Sequence, residues 1–312
     1  MPQTARRPSV RKPATLTAKT ADKHRLYELA VQNVEAEIDF VDATYKALRG
    51  RAARSLREDF CGTGNSSCEW VRRRKTNTAV GLDIDQPTLA WGKTRNVARL
   101  PEEARNRVRL LKRDVMRPGD AVGTDIVLAM NFSYWLFRKR QELLAYFRAV
   151  RESLPDHGVF ILDHYGGWES MKEVVEDREV ETPDGQTFTY VWDQARYAPV
   201  TGDMDCRISF RFADGSELPN AFSYTWRLWT MPEVRDLLDE AGFERVTVYW
   251  EGAEEVDEDE YDDDEDIEVG GNGIFEPTEH GEADPAFISY IVAEKRAISP
   301  SGVKPKTNGR AK

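Results

Sequence analysis

The chain has 312 residues, of which 40% are hydrophobic and 10% aromatic, and its formal net charge is −11. That composition can build a large core, and no apolar run reaches the roughly 18 residues of a transmembrane helix. Three cysteines, Cys61, Cys68 and Cys206, are too few and too scattered for a disulfide framework or a zinc site, so no metal is expected and a reducing cytoplasm is the expected compartment.

Residues 1–20 read as a disordered basic tail, with Pro2, Pro8 and Pro13 and no apolar stretch of signal-peptide type. From Ala21 to Leu48 the apolar residues Leu26, Ala30, Val34, Ile38, Val41, Tyr45 and Leu48 recur at three- and four-residue steps, the pattern of one long helix. Strands are then expected at Ser55–Phe60, Ala79–Ile84, Val108–Lys112, Asp125–Met130 and Gly158–Asp163. Helices are expected between them, at Asn65–Arg74, Gln86–Asn96 and Arg138–Leu154. Strands spaced by helices in this way predict a parallel sheet covered on both faces.

Residues 179–229 change character. They are rich in Thr, Tyr, Trp, Phe and Arg, and carry the turn signals Pro183-Asp184-Gly185 and Ala213-Asp214-Gly215. That predicts antiparallel strands, an inserted flap rather than further strand–helix units. Met231–Ala241 returns to helix, with Gly242 as its stop. Val246–Trp250 and Phe287–Ala293 read as strands, and residues 296–312 as a second basic tail.

Between the last two strands lies an acidic loop, 253–284, in which twelve acids and no base fall between Glu254 and Glu268. Like charges with little to bury cannot fold alone. The loop is a solvated segment or an attractor for a basic partner or a divalent cation. Gly270 and Gly271 follow the acids, so the turn glycine of a calcium loop is missing. Without this run the chain is near neutrality, and its net charge says little about partners. No basic surface interleaved with aromatics announces nucleic acid. Neither nucleic acid nor membrane is an expected partner, and oligomeric state is not legible.

The segment Leu56-Arg57-Glu58-Asp59-Phe60-Cys61-Gly62-Thr63-Gly64 carries the strongest signal. Gly62 and Gly64 end a strand and open a helix, a turn at which the backbone can approach a ligand closely. Asp83, near the end of the second strand, can accept hydrogen bonds from both hydroxyls of a ribose. Asp114, after the third strand, can accept from an adenine amino group. Together they predict a nucleoside pocket at the carboxyl ends of neighbouring parallel strands.

In their order and spacing these motifs resemble class I S-adenosylmethionine-dependent methyltransferases, over about Arg54 to Lys295. The resemblance implies a Rossmann-like α/β fold, a seven-stranded methyltransferase sheet with an inserted antiparallel β flap, in a domain spanning 21–295. It implies that the last strand, Phe287–Ala293, runs antiparallel between strands six and five. It implies S-adenosyl-L-methionine as cofactor and a small-molecule methyl acceptor, an amine or a hydroxyl, held beneath the flap. Cys61, Gly62 and Gly64 match the second half of the glycine motif. Glu58 then takes the acidic position, Phe60 stands where a glycine usually sits, and Asp59 is a second acid beside Glu58. Either acid is a candidate for the methionine ammonium. Asp83 is implied for the ribose, Ile84 for the adenine face, and Asp114 with Val115 for the adenine edge.

Asn131, which could orient an amine or hydroxyl, also borders the cofactor. Asn131, Tyr134 and His164 are the candidate catalytic residues. The aromatics Tyr190, Trp192, Tyr197, Tyr224, Trp226 and Trp229, with Arg227, could hold a cationic amine or simply pack the flap. Two other readings stand beside this one. A nicotinamide-dependent oxidoreductase would suit the Gly64-to-Asp83 spacing but has Ser67 in place of its third glycine. A non-catalytic interaction protein on the same fold would account for Phe60.

Overall fold

The computed structural model describes residues 15–253 and 271–298. In chain order the elements are α1 (Lys23–Val31), α2 (Val34–Arg49), β1 (Ser55–Asp59), α3 (Asn65–Arg73), β2 (Thr78–Asp83), α4 (Gln86–Arg95), α5 (Glu102–Arg105), β3 (Val108–Lys112), β4 (Ile126–Ala129), α6 (Arg140–Ser153), β5 (Val159–Gly166), β6 (Val174–Glu181), β7 (Thr187–Ala198), β8 (Asp203–Phe212), β9 (Glu217–Arg227), α7 (Met231–Ala241), β10 (Arg245–Ala253), β11 (Gly271–Thr278) and β12 (Phe287–Glu294). The chain divides into a larger unit (33–172, 197–204 and from 225 on) and a smaller one (up to 32, 173–196 and 205–224).

The larger unit is built on an eight-stranded sheet in the order β11-β10-β12-β5-β4-β1-β2-β3. Strands β1 to β5 pair in parallel, whereas β12 runs antiparallel to both β5 and β10. This is the expected seven-strand arrangement with one more strand, β11, added at the edge beside β10. The acidic run itself lies outside the described residues. The segment after it is a strand, where the sequence predicted a continuous loop.

The central strands are apolar because both faces are covered. Ile38, Val41 and Tyr45 of α2 and Cys68, Trp70 and Val71 of α3 share a core with Leu56, Ile126, Leu128 and Ile161. Leu143, Tyr146, Phe147 and Val150 of α6 are likewise buried, with Tyr146 and Phe147 against Phe160. The order reverses at β1, whose neighbours are β2 and β4. A reversal of this kind opens a crevice at the carboxyl ends of the strands.

Two expectations are corrected near the start of the chain. The helix predicted over Ala21–Leu48 is two helices. Gln32 is extended (φ −98°, ψ 129°), and the Asn33 side chain accepts from the Ala36 N–H at 3.5 Å and caps α2. Glu35 and Glu37 occupy the first turn of α2, where acids suit the helix dipole. The apolar steps run in phase through the break, so periodicity alone could not reveal it. The N-terminal tail expected over 1–20 is ordered from Thr15. The Leu16 N–H donates to Gln186 at 2.7 Å and the Ala18 N–H to Ser216 at 2.9 Å. Of the C-terminal tail, 296–298 are also ordered, with Arg296 paired to Glu244 at 2.6 Å. Residues 1–14 and 299–312 lie outside the described residues.

The smaller unit is a four-stranded antiparallel sheet, β6-β7-β8-β9, with α1 packed on it. Leu26 and Ala30 of α1 close over Val180, Phe188, Ile208, Phe210 and Phe212. The two turn signals connect β6 to β7 and β8 to β9, as expected. The first strand begins at Val174, before the expected boundary, and the unit recruits a helix from far upstream.

Candidate active site

The glycine turn after β1 is held by hydrogen bonds that the sequence sets up locally. Cys61 N–H donates to the Leu82 carbonyl at 2.9 Å and Gly64 N–H to the Cys61 carbonyl at 2.7 Å. Gly62 N–H donates to Asp83 Oδ2 at 2.8 Å. Gly62 and Gly64 both have positive φ (51° and 67°). A side chain at Gly64 would also collide with Leu110, whereas at Gly62 it would meet only open space and Thr88 at 3.9 Å. The backbone at Gly62 is therefore open to a ligand. Phe60 has φ 56°, the left-handed conformation for which glycine is usual and which costs a bulky residue of order 1–3 kcal/mol. Its ring is placed against Phe137 and Tyr146 (centroids 6.0 and 5.5 Å). Phe60 thus keeps the backbone path of a glycine and directs its side chain into an aromatic cluster.

Asp83 ends β2. Its second oxygen accepts from the Asp85 N–H at 2.8 Å, and each carboxylate oxygen retains a lone pair for another donor. Ile84 beside it is 70% exposed, an apolar side chain left open at the end of β2. Strand β3 pairs with β2, and the Arg113 N–H donates to the Asp83 carbonyl at 2.8 Å. Asp114 follows, exposed, with one oxygen accepting from Met116 N–H at 2.9 Å. Val115 is buried. Burial also pushes the Cys61 thiol well above its ordinary range, so it is a packing residue of the turn and no nucleophile.

The two acids of β1 point to opposite faces, as alternate strand residues must. Asp59 is in the core. Arg57 grips it with two bonds (Nε to Oδ1 at 2.9 Å, Nη2 to Oδ2 at 3.1 Å), and Tyr146 donates to Oδ2 at 3.0 Å. The rest of the Arg57 guanidinium donates to Ser153 Oγ at 2.7 Å and the Ala121 carbonyl at 3.0 Å. Asp59 is thereby committed to a satisfied internal ion pair. Glu58 lies on the face of α3, where Oε2 accepts from Ser67 N–H at 2.9 Å and Ser67 Oγ at 2.5 Å. Burial pushes its carboxyl up to about 7.

At the ends of β4 and β5 the groups are larger and deeper. Asn131 and Phe132 both have positive φ (56° and 54°). Their N–H groups donate to the two oxygens of Asp163, at 2.7 and 2.9 Å. Burial pushes Asp163 up to about 7. Asn131 is half-buried at this turn. Tyr134 and His164 are brought together, with Tyr134 Oη 2.9 Å from His164 Nδ1, but they are 0% and 1% exposed. Burial raises the Tyr134 phenol far above its usual range and lowers His164 to about 3. Both side chains are thus enclosed behind the ends of β4 and β5. Phe132, Trp135 and Tyr165 form an aromatic cluster beside them (Phe132 to Trp135 5.3 Å, Phe132 to Tyr165 5.8 Å). Arg227 lies over Trp229 at 3.8 Å and pairs with Glu233 at 3.0 Å. Trp229 donates to the Phe137 carbonyl at 3.2 Å.

Gly62, Gly64, Asp83, Ile84, Asp114 and Asn131 thus lie along one row of strand ends, whereas Glu58, Asp59, Tyr134 and His164 are all buried. Sequence reasoning missed two acids. Asp163 lies within β5, one residue past its last pairing with β4, and ends the strand expected from the sequence, a pattern that could have singled it out. Glu37, in the first turn of α2, carries no local signal. Its placement depends on how α2 packs against α3.

No family model matches the sequence, and no curated protein is similar to it. Solved structures are. One is an S-adenosylmethionine-dependent methyltransferase from Clostridium acetobutylicum, 14% identical, with a TM-score of 0.59 over 87% of this chain and 96% of that one. Another is an amino pentose methyltransferase from Micromonospora echinaspora, 20% identical, with a TM-score of 0.59 over 87% and 95%. A third is a sugar N-methyltransferase from a Streptoalloteichus species, 17% identical, with a TM-score of 0.57 over 95% and 100%. The strand order, the antiparallel β12 between β5 and β10, and these likenesses agree: the chain has the Rossmann-like fold of the S-adenosylmethionine-dependent methyltransferases.

Proposed function

We propose that this protein transfers a methyl group from S-adenosylmethionine to a small-molecule acceptor, at an amine or a hydroxyl. The observation that carries the reading is the Gly62–Asp83 hydrogen bond. It ties an open glycine turn to a strand-end acid, with the exposed Ile84 beside it. A ribose needs the acid, an adenine needs the apolar face, and a chain leading from the ribose needs the open turn. The donor group is cationic at both its sulfonium and its ammonium. Glu58, Asp83 and Asp163, in the carboxyl-terminal halves of β1, β2 and β5, fit that charge.

In this reading Asp83 accepts from the ribose hydroxyls. Ile84 covers one face of the adenine, and Asp114 with the Val115 backbone meets its edge. Gly62 and Gly64 admit the amino-acid end, with Glu58 beneath it. When bound, the cofactor supplies an electrophilic methyl group on sulfur. The protein must hold an acceptor in line with it and keep water out. Asn131 orients the acceptor, and Phe132 and Tyr165 exclude water. Tyr134 and His164 act as positioning residues that fix the ends of β4 and β5. A base is required only for an acceptor protonated at working pH. Similar solved structures that methylate an amino pentose and a sugar nitrogen support a polar amine as acceptor.

A nicotinamide dinucleotide has less support. Its third glycine would stand at Ser67, which is buried against Glu58. Calorimetric titration with S-adenosylhomocysteine and, separately, NADH tests the reading. Micromolar binding of the former alone is the expected result. Binding of neither by a cooperatively melting protein would overturn it in favour of a non-catalytic role.

A further inference from the structure

The first turn of α2 carries an acid that no motif includes. Glu37 Oε1 accepts from the Asn33 N–H at 3.3 Å. Its Oε2 is buried and has no hydrogen-bond partner among the described residues. Further along the same helix, Asp39 and Asp42 pair with Arg73 and Arg74 of the α3 end. Glu37 is instead half-buried, with the side chain of Ser66, the second residue of α3, within hydrogen-bonding reach, and its charge acts on Glu58, Asp163 and Tyr290. A carboxylate that faces other acids with its Oε2 shielded from water gains from any further donor that reaches it. Burial accordingly pushes Glu37 up to about 7.

The position selects the donor. Ser66 lies two residues beyond Gly64, so Glu37 stands at the start of the helix that the glycine turn opens. If Asp83 holds the ribose, the amino-acid end of the cofactor runs toward Ser66. Ser67 already occupies Oε2 of Glu58, and Arg57 and Tyr146 occupy Asp59. We infer that Glu37, from α2, receives the α-ammonium of S-adenosylmethionine. This rests on the cofactor reading above. It assigns a contact to a helix outside the glycine motif, and it makes α2 one wall of the cofactor site.

The test compares two ligands that share the nucleoside and differ in the amino acid. Wild type and Glu37→Gln are titrated with S-adenosylhomocysteine and with methylthioadenosine, which lacks the amino-acid moiety. A charge-assisted bond of ordinary strength predicts about 10- to 100-fold weaker S-adenosylhomocysteine binding in Glu37→Gln. Methylthioadenosine affinity should be unchanged, which also certifies that the variant is folded. Glu37→Asp should fall between the two. Equal loss for both ligands, or loss for neither, overturns the Glu37 assignment while wild-type binding leaves the cofactor reading intact. Wild-type protein that binds neither ligand removes both.

Discussion

The strand ends of β1 to β3 and those of β4 and β5 lie in one sheet, yet they are held by different means. On the first side the contacts are local and shallow. Asp83 accepts from Gly62 and Asp85, Asp114 caps its own turn, and Ile84 stands open. On the second side the contacts are buried and long-range. Asp163 holds a turn 31 and 32 residues away in sequence, and Tyr134 reaches His164 across 30. A side that recognises the same nucleoside needs only a few fixed groups. A side that must exclude water and orient an acceptor needs a rigid aromatic frame. Both acids of β1 are buried on opposite faces, Glu58 against Ser67 of α3 and Asp59 in the core against Arg57 and Tyr146.

Removing that core acid should have the largest effect. Asp59→Ala strands the buried Arg57 charge and is expected to lower stability by about 3–5 kcal/mol in urea unfolding. S-adenosylhomocysteine affinity of the folded fraction should not change; a specific loss of affinity would move Asp59 into the site. Asp163→Ala deprives two turn N–H groups of their acceptor and should cost about 3 kcal/mol by the same measurement. A change under 1 kcal/mol would show that the turn after β4 holds itself.

On the shallow side the effect should appear in binding rather than folding. Asp83→Ala should weaken S-adenosylhomocysteine by about 1–3 kcal/mol in calorimetry, with a melting temperature close to wild type. Unchanged affinity would sink the ribose assignment. Tyr134→Phe removes one buried hydrogen bond and should lower stability by about 1 kcal/mol. Methyl transfer should stay within a few-fold; loss of turnover in a stable variant would return Tyr134 to the chemistry.

The smallest effect concerns pH. Burial raises Glu37, Glu58 and Asp163 to about 7 each. Glu37 acts on each of the other two, and Glu37 and Asp163 also act on Tyr290. Below that pH they are neutral, and above it they carry the charge that attracts a cation. Affinity for S-adenosylhomocysteine should therefore rise between about pH 6 and 8, by less than about tenfold because like charges oppose one another. A fall over that range would contradict cation recognition by these acids.

The sequence by itself determined the order of strands and helices, the glycine turn and the acids that end β2 and β3. Each of these is written in neighbouring residues: periodicity, a glycine with positive φ, an acid at a strand terminus. Even Phe60 was visible as a departure, although its left-handed backbone and its aromatic neighbours were not. The division of the first helix at Asn33 was hidden because its apolar steps stay in phase across the break. The added strand β11 was hidden behind an acidic run that suggested only a loop. Tertiary structure alone decided what covers each β1 acid, because strand alternation assigns opposite faces but not their neighbours. It alone buried Tyr134 with His164, and it alone brought Glu37 to the start of α3. Those outcomes depend on contacts between residues tens of positions apart, which no local pattern encodes.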